Sequence, residues 1–225
     1  MDITDLKLAE KLYLQRGDCL IVVDMQNDFM PGGALPVAEG DSLVPGVNST
    51  MKVFSGSAMP IVLTQDWHPI GHRSFASSHA GKKPFDPHSD PGIGPVLWPD
   101  HCVQGTPGAD FHHLLDVKLA QAIIRKGFHQ DVDSYSGFLE NDGTTATGLD
   151  GYLKARKVKR IFVCGLALDY CVFFTAGDGS ELGYEAVVLI DLAKPVGSPP
   201  GSVSQALGAL VAKGVAFAKS SGIHI

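Results

Sequence analysis

Six short runs rich in Val and Ile, at residues 19–24, 60–65, 121–126, 160–164, 185–190 and 214–218, constrain this chain more than any other feature. None alternates apolar with polar residues. A strand solvated on one face would alternate, so these runs read as strands buried on both faces, the habit of parallel sheets. Helix-like stretches at 45–54, 110–119, 149–157, 168–182 and 201–213 separate most of them. Pro45 near the first turn and Gly56 at the far end bracket the first of these helices. Alternating strands and helices predict an α/β fold: a doubly wound, Rossmann-like parallel sheet of about six strands with helices on both faces. No linker divides the 225 residues, so they are expected to form a single domain, 1–225.

One region breaks the rhythm. Residues 66–108 hold seven of the fourteen prolines, six glycines and five histidines, together with Trp67, Phe75, Phe85 and Trp98. A loop of this length inside a compact domain is usually functional, and its aromatic content argues against disorder. It is expected to lie over a binding crevice. Gly177 and Gly179 interrupt the 168–182 helix, where each glycine costs roughly 1 kcal/mol relative to Ala. That cost predicts either a close packing partner or early fraying.

Charge and cysteine usage exclude several classes of partner. A net charge of −6 without any basic cluster argues against nucleic acid and anionic membranes. No run approaches eighteen apolar residues, and Met1-Asp-Ile-Thr-Asp-Leu6 lacks the basic and apolar regions of a signal peptide. The four cysteines contain no C-x-x-C pair, so a reducing, cytoplasmic setting is the expectation. The sequence leaves self-association into a homo-oligomer open.

Ligands of open parallel sheets bind beyond the carboxyl ends of the strands. Four such ends carry reactive groups: Asp24, Asp66, Lys126 and, just after 160–164, Cys171. Each has two readings. Cys171 is either an ordinary buried thiol or a nucleophile at a helix start, where the helix dipole and backbone N–H groups favour a thiolate and an oxyanion. Asp24 is a surface carboxylate or a general base, while nearby Asp28 is a candidate turn cap. Lys126 is a solvated strand end or a charge partner for thiolate and carboxylate. Asp66 and His68 share one strand face and can hold an ion together. His72, His79, His88 and His101 are the candidates for a third ligand.

Six segments in order carry a more specific signal: Val23-Asp24-Met-Gln-Asn-Asp28-Phe29, Gln65-Asp66-Trp-His68-Pro69, Leu97-Trp98-Pro-Asp-His101-Cys102, Lys126-Gly127-Phe128, Tyr135-Ser-Gly-Phe138 and Gly165-Leu-Ala-Leu-Asp-Tyr-Cys171-Val172. Together they resemble the nicotinamidase branch of the isochorismatase-like hydrolases, over about residues 18–218. The resemblance implies hydrolysis of nicotinamide to nicotinate and ammonia through a cysteine thioester. It implies Cys171 as nucleophile, Asp24 as base and Lys126 as charge partner. It also implies one divalent ion, zinc first, then iron or manganese, held by Asp66, His68 and His101. The oxyanion hole would be the backbone N–H groups of Ala167 and Cys171, with a cis peptide at Leu166–Ala167. Phe29, Leu35, Trp98 and Tyr135 would hold the ring. Competing readings are an amidase for pyrazinamide or an N-carbamoyl compound, a vinyl ether hydrolase, and a metal-binding protein with a redox-sensing thiol.

Overall fold

The computed structural model describes residues 1–225. Its main sheet uses seven strands: β1 (Leu8–Ala9), β3 (Asp18–Val23), β4 (Ile61–Asp66), β5 (Ala122–Lys126), β6 (Arg160–Leu166), β7 (Glu185–Lys194) and β8 (Ala216–Ala218). They pair in the order β1-β8-β7-β6-β3-β4-β5, and every pairing is parallel. A two-stranded annex joins β2 (Leu12–Tyr13) to β9 (Ile223–His224). The six apolar runs all become strands of the main sheet. The seventh, β1, has two residues, too few to leave a periodic signature.

Four helices complete the fold: α1 (Val44–Gly56), α2 (Leu149–Ala155), α3 (Phe173–Glu181) and α4 (Ser202–Ala212). From β3 the chain winds outward through β4 to β5, then returns to the other side of β3 and winds outward through β6, β7 and β8. Right-handed crossovers in opposite directions place helices on opposite faces. Neighbouring residues of β6 confirm it. Phe162 meets Phe54 of α1 at a ring separation of 5.3 Å, whereas Ile161 abuts Gly179 of α3.

That second contact answers the question of the helix glycines. A Cβ at Gly179 would collide with Ile161 and crowd Phe138, so the helix continues to Glu181 because glycine lets the sheet approach. The expected helix at 110–119 does not form. Asn27 N–H donates to Asp110 O, His112 N–H donates to Met25 O, and Gln26 bridges Phe111 in antiparallel fashion. Those bonds hold the segment extended beside the exit of β3, and only a 3-10 turn at Val117–Leu119 remains.

The strand order reverses between β3 and β6, which opens a crevice at their carboxyl ends. Most of the core is one cluster of 52 buried residues around the sheet, and a small satellite of Ala76, Ile93 and Leu97 lies under the long loop. The loop is pinned instead by isolated bridges, His68 to Val103 and Phe75 to Trp98, that fold it back toward the end of β4.

Candidate active site

Three strand ends deliver three charges to one buried point. Asp24 leaves β3, Asp66 ends β4 and Lys126 ends β5; all three side chains are buried. Asp66 and Lys126 are directly paired in the β4–β5 register. Lys126 Nζ lies 2.9 Å from Asp24 Oδ2 and donates to Asp66 Oδ1, to Ser134 O at 2.9 Å and to Cys171 Sγ at 3.3 Å. One ammonium therefore touches the thiol and both carboxylates. The expected pairing of Lys126 with Asp24 and Cys171 is present, and its bond to Asp66 is an addition. The register of two strands decided that bond.

Asp24 Oδ1 accepts from Thr64 Oγ1 at 2.6 Å. Its Oδ2 has the lysine as an ion-pair neighbour but no well-angled hydrogen bond, although it is buried. Carboxylate oxygens of Asp24 and Asp66 and the Cys171 sulfur lie within 4.8 Å of one another. Asp24 thus keeps a lone pair beside the thiol. Asp28, by contrast, is a strap: it accepts from Cys102 N at 2.7 Å and Ala34 N at 3.2 Å, holding the Phe29–Leu35 segment against the long loop.

Burial and mutual charge set the protonation states. Burial raises the Asp24 carboxyl above its ordinary range against the pull of Lys126. Burial likewise pushes the Cys171 thiol well up, again opposed by Lys126. For Lys126 burial disfavours charge, but Asp24 and Asp66 outweigh it and raise the ammonium well above the usual lysine value. Asp66 also resists its burial, because Lys126 and His68 hold its carboxyl far below the usual range. Burial thus favours a neutral thiol and a proton-avid Asp24 carboxyl beside a lysine cation.

Cys171 sits in a π-helical turn, Leu168–Val172, between β6 and α3. Such turns are rare and often mark functional sites. The Leu166–Ala167 peptide is cis, as the resemblance implied. At Gly165, φ is +110° and an added Cβ would clash with Val23 O, so only glycine lets β6 run this close to β3. Ala167 and Cys171 border the same pocket.

Asp66, His68 and His101 bring their donor atoms within 4.8 Å of one another. Their orientation fits an ion. His68 Nδ1 donates to Gly127 O at 2.8 Å and His101 Nδ1 donates to Pro99 O at 2.8 Å, so each ring turns its Nε2 toward Asp66. Those Nε2 atoms lie 3.8 and 3.9 Å from Asp66 Oδ2. Two imidazoles and a carboxylate converging this way fit a divalent metal ion. Burial drives the His101 pKa down to about 4, keeping its lone pair free at neutral pH.

His72 does not join this set. Its Nε2–H donates to His129 O at 2.8 Å and Val132 O at 3.2 Å, while Nδ1 accepts from Ser74 Oγ and N. Both nitrogens are occupied, and the ring packs 4.6 Å from His68 as a brace. His79 and His88 pair with each other further along the loop.

Phe29, Leu35, Trp98 and Tyr135 all line the pocket beside Asp66, His101 and Cys171. Trp98 Nε1 donates to Tyr135 Oη at 3.0 Å, and Tyr135 Oη donates to Gly94 O at 2.8 Å, which locks both rings. Three further wall residues escaped the sequence reading: Tyr170, Val196 and Asp133. Tyr170 directly precedes Cys171 and stacks edge-on to Trp98 at 4.9 Å. Its position beside Cys171 was the available signal. Val196 and Asp133 lie in loops with no pattern to mark them. Thr64, the partner of Asp24, was legible in principle, since strand alternation puts it on the face of Asp66.

The Isochorismatase domain family matches residues 18–219, nearly the whole chain. The chain belongs to the isochorismatase family. A nicotinamidase of Acinetobacter baylyi is 48% identical over 219 residues, covering 97% of this chain and 100% of the relative. A nicotinamidase and pyrazinamidase of Acinetobacter baumanii superposes with a TM-score of 0.87 at 45% identity, over 92% of this chain and 98% of the other. A pyrazinamidase of Pyrococcus horikoshii in complex with zinc superposes with a TM-score of 0.74 at 38% identity, over 90% of this chain and 99% of the other. No helix of this family member is long and apolar enough to cross a membrane.

Proposed function

We propose that this chain is a nicotinamidase, an amidohydrolase that converts nicotinamide to nicotinate and ammonia and so feeds NAD salvage. The observation that carries the reading is Lys126 Nζ in contact with Asp24, Asp66 and Cys171 at once, where Asp66 and Cys171 border a pocket walled by aromatic rings. Similarity to nicotinamidases over more than nine-tenths of the chain supports the substrate.

Asp24 takes the proton of the Cys171 thiol as Sγ attacks the amide carbon. The carbonyl π electrons move to oxygen, and the backbone N–H groups of Ala167 and Cys171 receive that oxyanion; a lost donor of this kind costs about 3–4 kcal/mol in other enzymes. Asp24 then gives its proton to nitrogen, the C–N bond breaks, and ammonia leaves a thioester on Cys171. Water attacks the thioester carbon, losing a proton to Asp24, and the C–S bond breaks with return of a proton to sulfur. Lys126 stays charged throughout and offsets the negative charge that moves between sulfur and carboxylate.

Asp66, His68 and His101 hold one divalent ion, zinc first, as in the zinc complex of the Pyrococcus horikoshii pyrazinamidase, then iron or manganese; two imidazoles and one carboxylate suit zinc and ferrous iron alike. Bound there, the ion supplies an open position to which a pyridine nitrogen can bind. Phe29 and Trp98 enclose the ring, with Leu35 and Tyr135 beside it. We further read residues 1–225 as one domain acting in the cytoplasm, in accord with its largely continuous core and four free, buried cysteines.

An ammonia-release assay on nicotinamide, pyrazinamide and an N-carbamoyl amine, with metal analysis of the same sample, tests the proposal. The expected result is fastest turnover of nicotinamide, one equivalent of bound metal, and loss of turnover in Cys171→Ala. Retained turnover in Cys171→Ala, abolished by metal removal, would replace the thioester route with a metal-activated water.

A further inference from the structure

Asp133 lies seven residues beyond Lys126 and is buried, 2% exposed. Its Oδ1 accepts from Ser134 N at 2.8 Å. Its Oδ2 is buried and has no hydrogen-bond partner. A carboxylate oxygen left so in the interior carries a desolvation cost of a few kcal/mol, and such groups are nearly always matched by a water, an ion or a ligand. Asp133 lines the pocket together with Asp66, His101 and Cys171.

Distance places Asp133 one layer outside the metal ligands. One of its oxygens lies within 4.8 Å of ring nitrogens of His68 and His72, but it does not join the convergent Asp66–His68–His101 group. The His68–His72–Asp133 trio is not a second ion site, because both nitrogens of His72 are already bonded to backbone carbonyls and Ser74. Nothing on the protein satisfies Asp133 Oδ2.

Charge leads to the same conclusion. Asp24, Asp66 and Lys126 are buried together, two anions against one cation. A divalent ion on Asp66 leaves that cluster with one excess positive charge in a medium that tolerates unbalanced charge badly. The carboxylate of Asp133 cancels it.

We propose that Asp133 is the outer anion of the metal centre: its free oxygen accepts a hydrogen bond from a water that completes the ion's coordination, and its charge balances the ion. The inference rests on the metal reading of Asp66, His68 and His101. Asp133 is then a positioning residue, acting through the ion and its water. Outer partners of this kind change metal affinity by roughly 10–100-fold when removed.

The test is zinc affinity of purified full-length protein, measured by competition with a chromophoric chelator, for wild type, Asp133→Asn and Asp133→Ser. Both substitutions retain an acceptor for Ser134 N and remove the charge. The expected result is zinc binding weakened roughly 10–100-fold in both variants, with an unchanged or higher melting temperature of the metal-free protein. The absorption spectrum of the cobalt-substituted variants should also change in shape, reporting an altered water on the ion. Equal zinc affinity and identical cobalt spectra in a folded variant would overturn the role of Asp133. A wild type that binds neither zinc nor cobalt would instead overturn the metal reading itself. If Asn at 133 prevents folding, the smaller Ser variant decides by the same two measurements.

Discussion

A buried carboxylate–cation arrangement lies at each end of the central strand β3, and the two ends differ in how completely they are satisfied. At the amino end Asp18 and Arg160 face each other in register. Arg160 donates to Asp18 through Nε at 2.9 Å and Nη2 at 2.7 Å, Gln15 N–H donates to Asp18 as well, and Arg160 also reaches Tyr13 O. This is a closed, two-pronged pair, the geometry in which arginine excels. An open depression of about 380 Å³ lies beside it, lined by Arg16, Ser55 and Arg156, with no cysteine or histidine in its wall. At the carboxyl end the cation is a lysine, a point charge that reaches two carboxylates and a thiol, and Asp24 Oδ2 remains without a hydrogen bond. Saturated pairing makes structure; incomplete pairing leaves a lone pair and a proton free to move.

Four experiments test this contrast. The largest effect is expected from Cys171→Ala, which should lower nicotinamide turnover by at least about 10⁴-fold while the circular dichroism spectrum and melting temperature barely change. Asp24→Asn should reduce kcat/KM by roughly 10²–10⁴-fold, the range for loss of a general base. A variant with near-normal activity would show that the free Oδ2 has no chemical role.

Arg160→Met probes the other end. It strands Asp18 without its cation, so denaturant unfolding should report a loss of about 3–5 kcal/mol, whereas kcat/KM of the folded fraction should stay within about twofold of wild type. A catalytic defect there would erase the distinction between the two ends. The smallest effect concerns the thiol. Burial raises its pKa and Lys126 lowers it, so alkylation of Cys171 should be slow at pH 7 and climb through pH 9. Removing the cation in Lys126→Met should shift that rise to still higher pH, slowing alkylation at pH 9 by about tenfold or more. Faster alkylation in the variant would contradict the assigned role of Lys126.

Much of the fold was legible because a parallel sheet buries both faces of its strands, and six unbroken Val- and Ile-rich runs had no other stable use. Residues 110–119 depart from the expected helix for an equally physical reason. Their apolar content looks helical in isolation, but Met25, Gln26 and Asn27 capture the backbone first. In the candidate site the reactive residues at strand ends stood out, since polar groups closing buried runs are costly unless used. Asp133 did not, because its oxygen is unpaired only in three dimensions. His72, set beside the same cluster, is excluded by two carbonyls and a serine that no spacing announces.

The chain's own order of residues determined the alternation of strands and helices, the reactive groups that end them, and a thiol, Cys171, just beyond a run of buried apolar residues. Only tertiary structure decided that Asp66 belongs both to Lys126 and to the histidine pair, because register between β4 and β5 sets which side chains meet. It also decided that Gly179 is a packing site and that Asp24 and Asp133 each keep one oxygen without a hydrogen bond. Periodicity records which face of an element is buried. It does not record where two elements cross, and charge, hydrogen bonding and chemistry depend on that crossing.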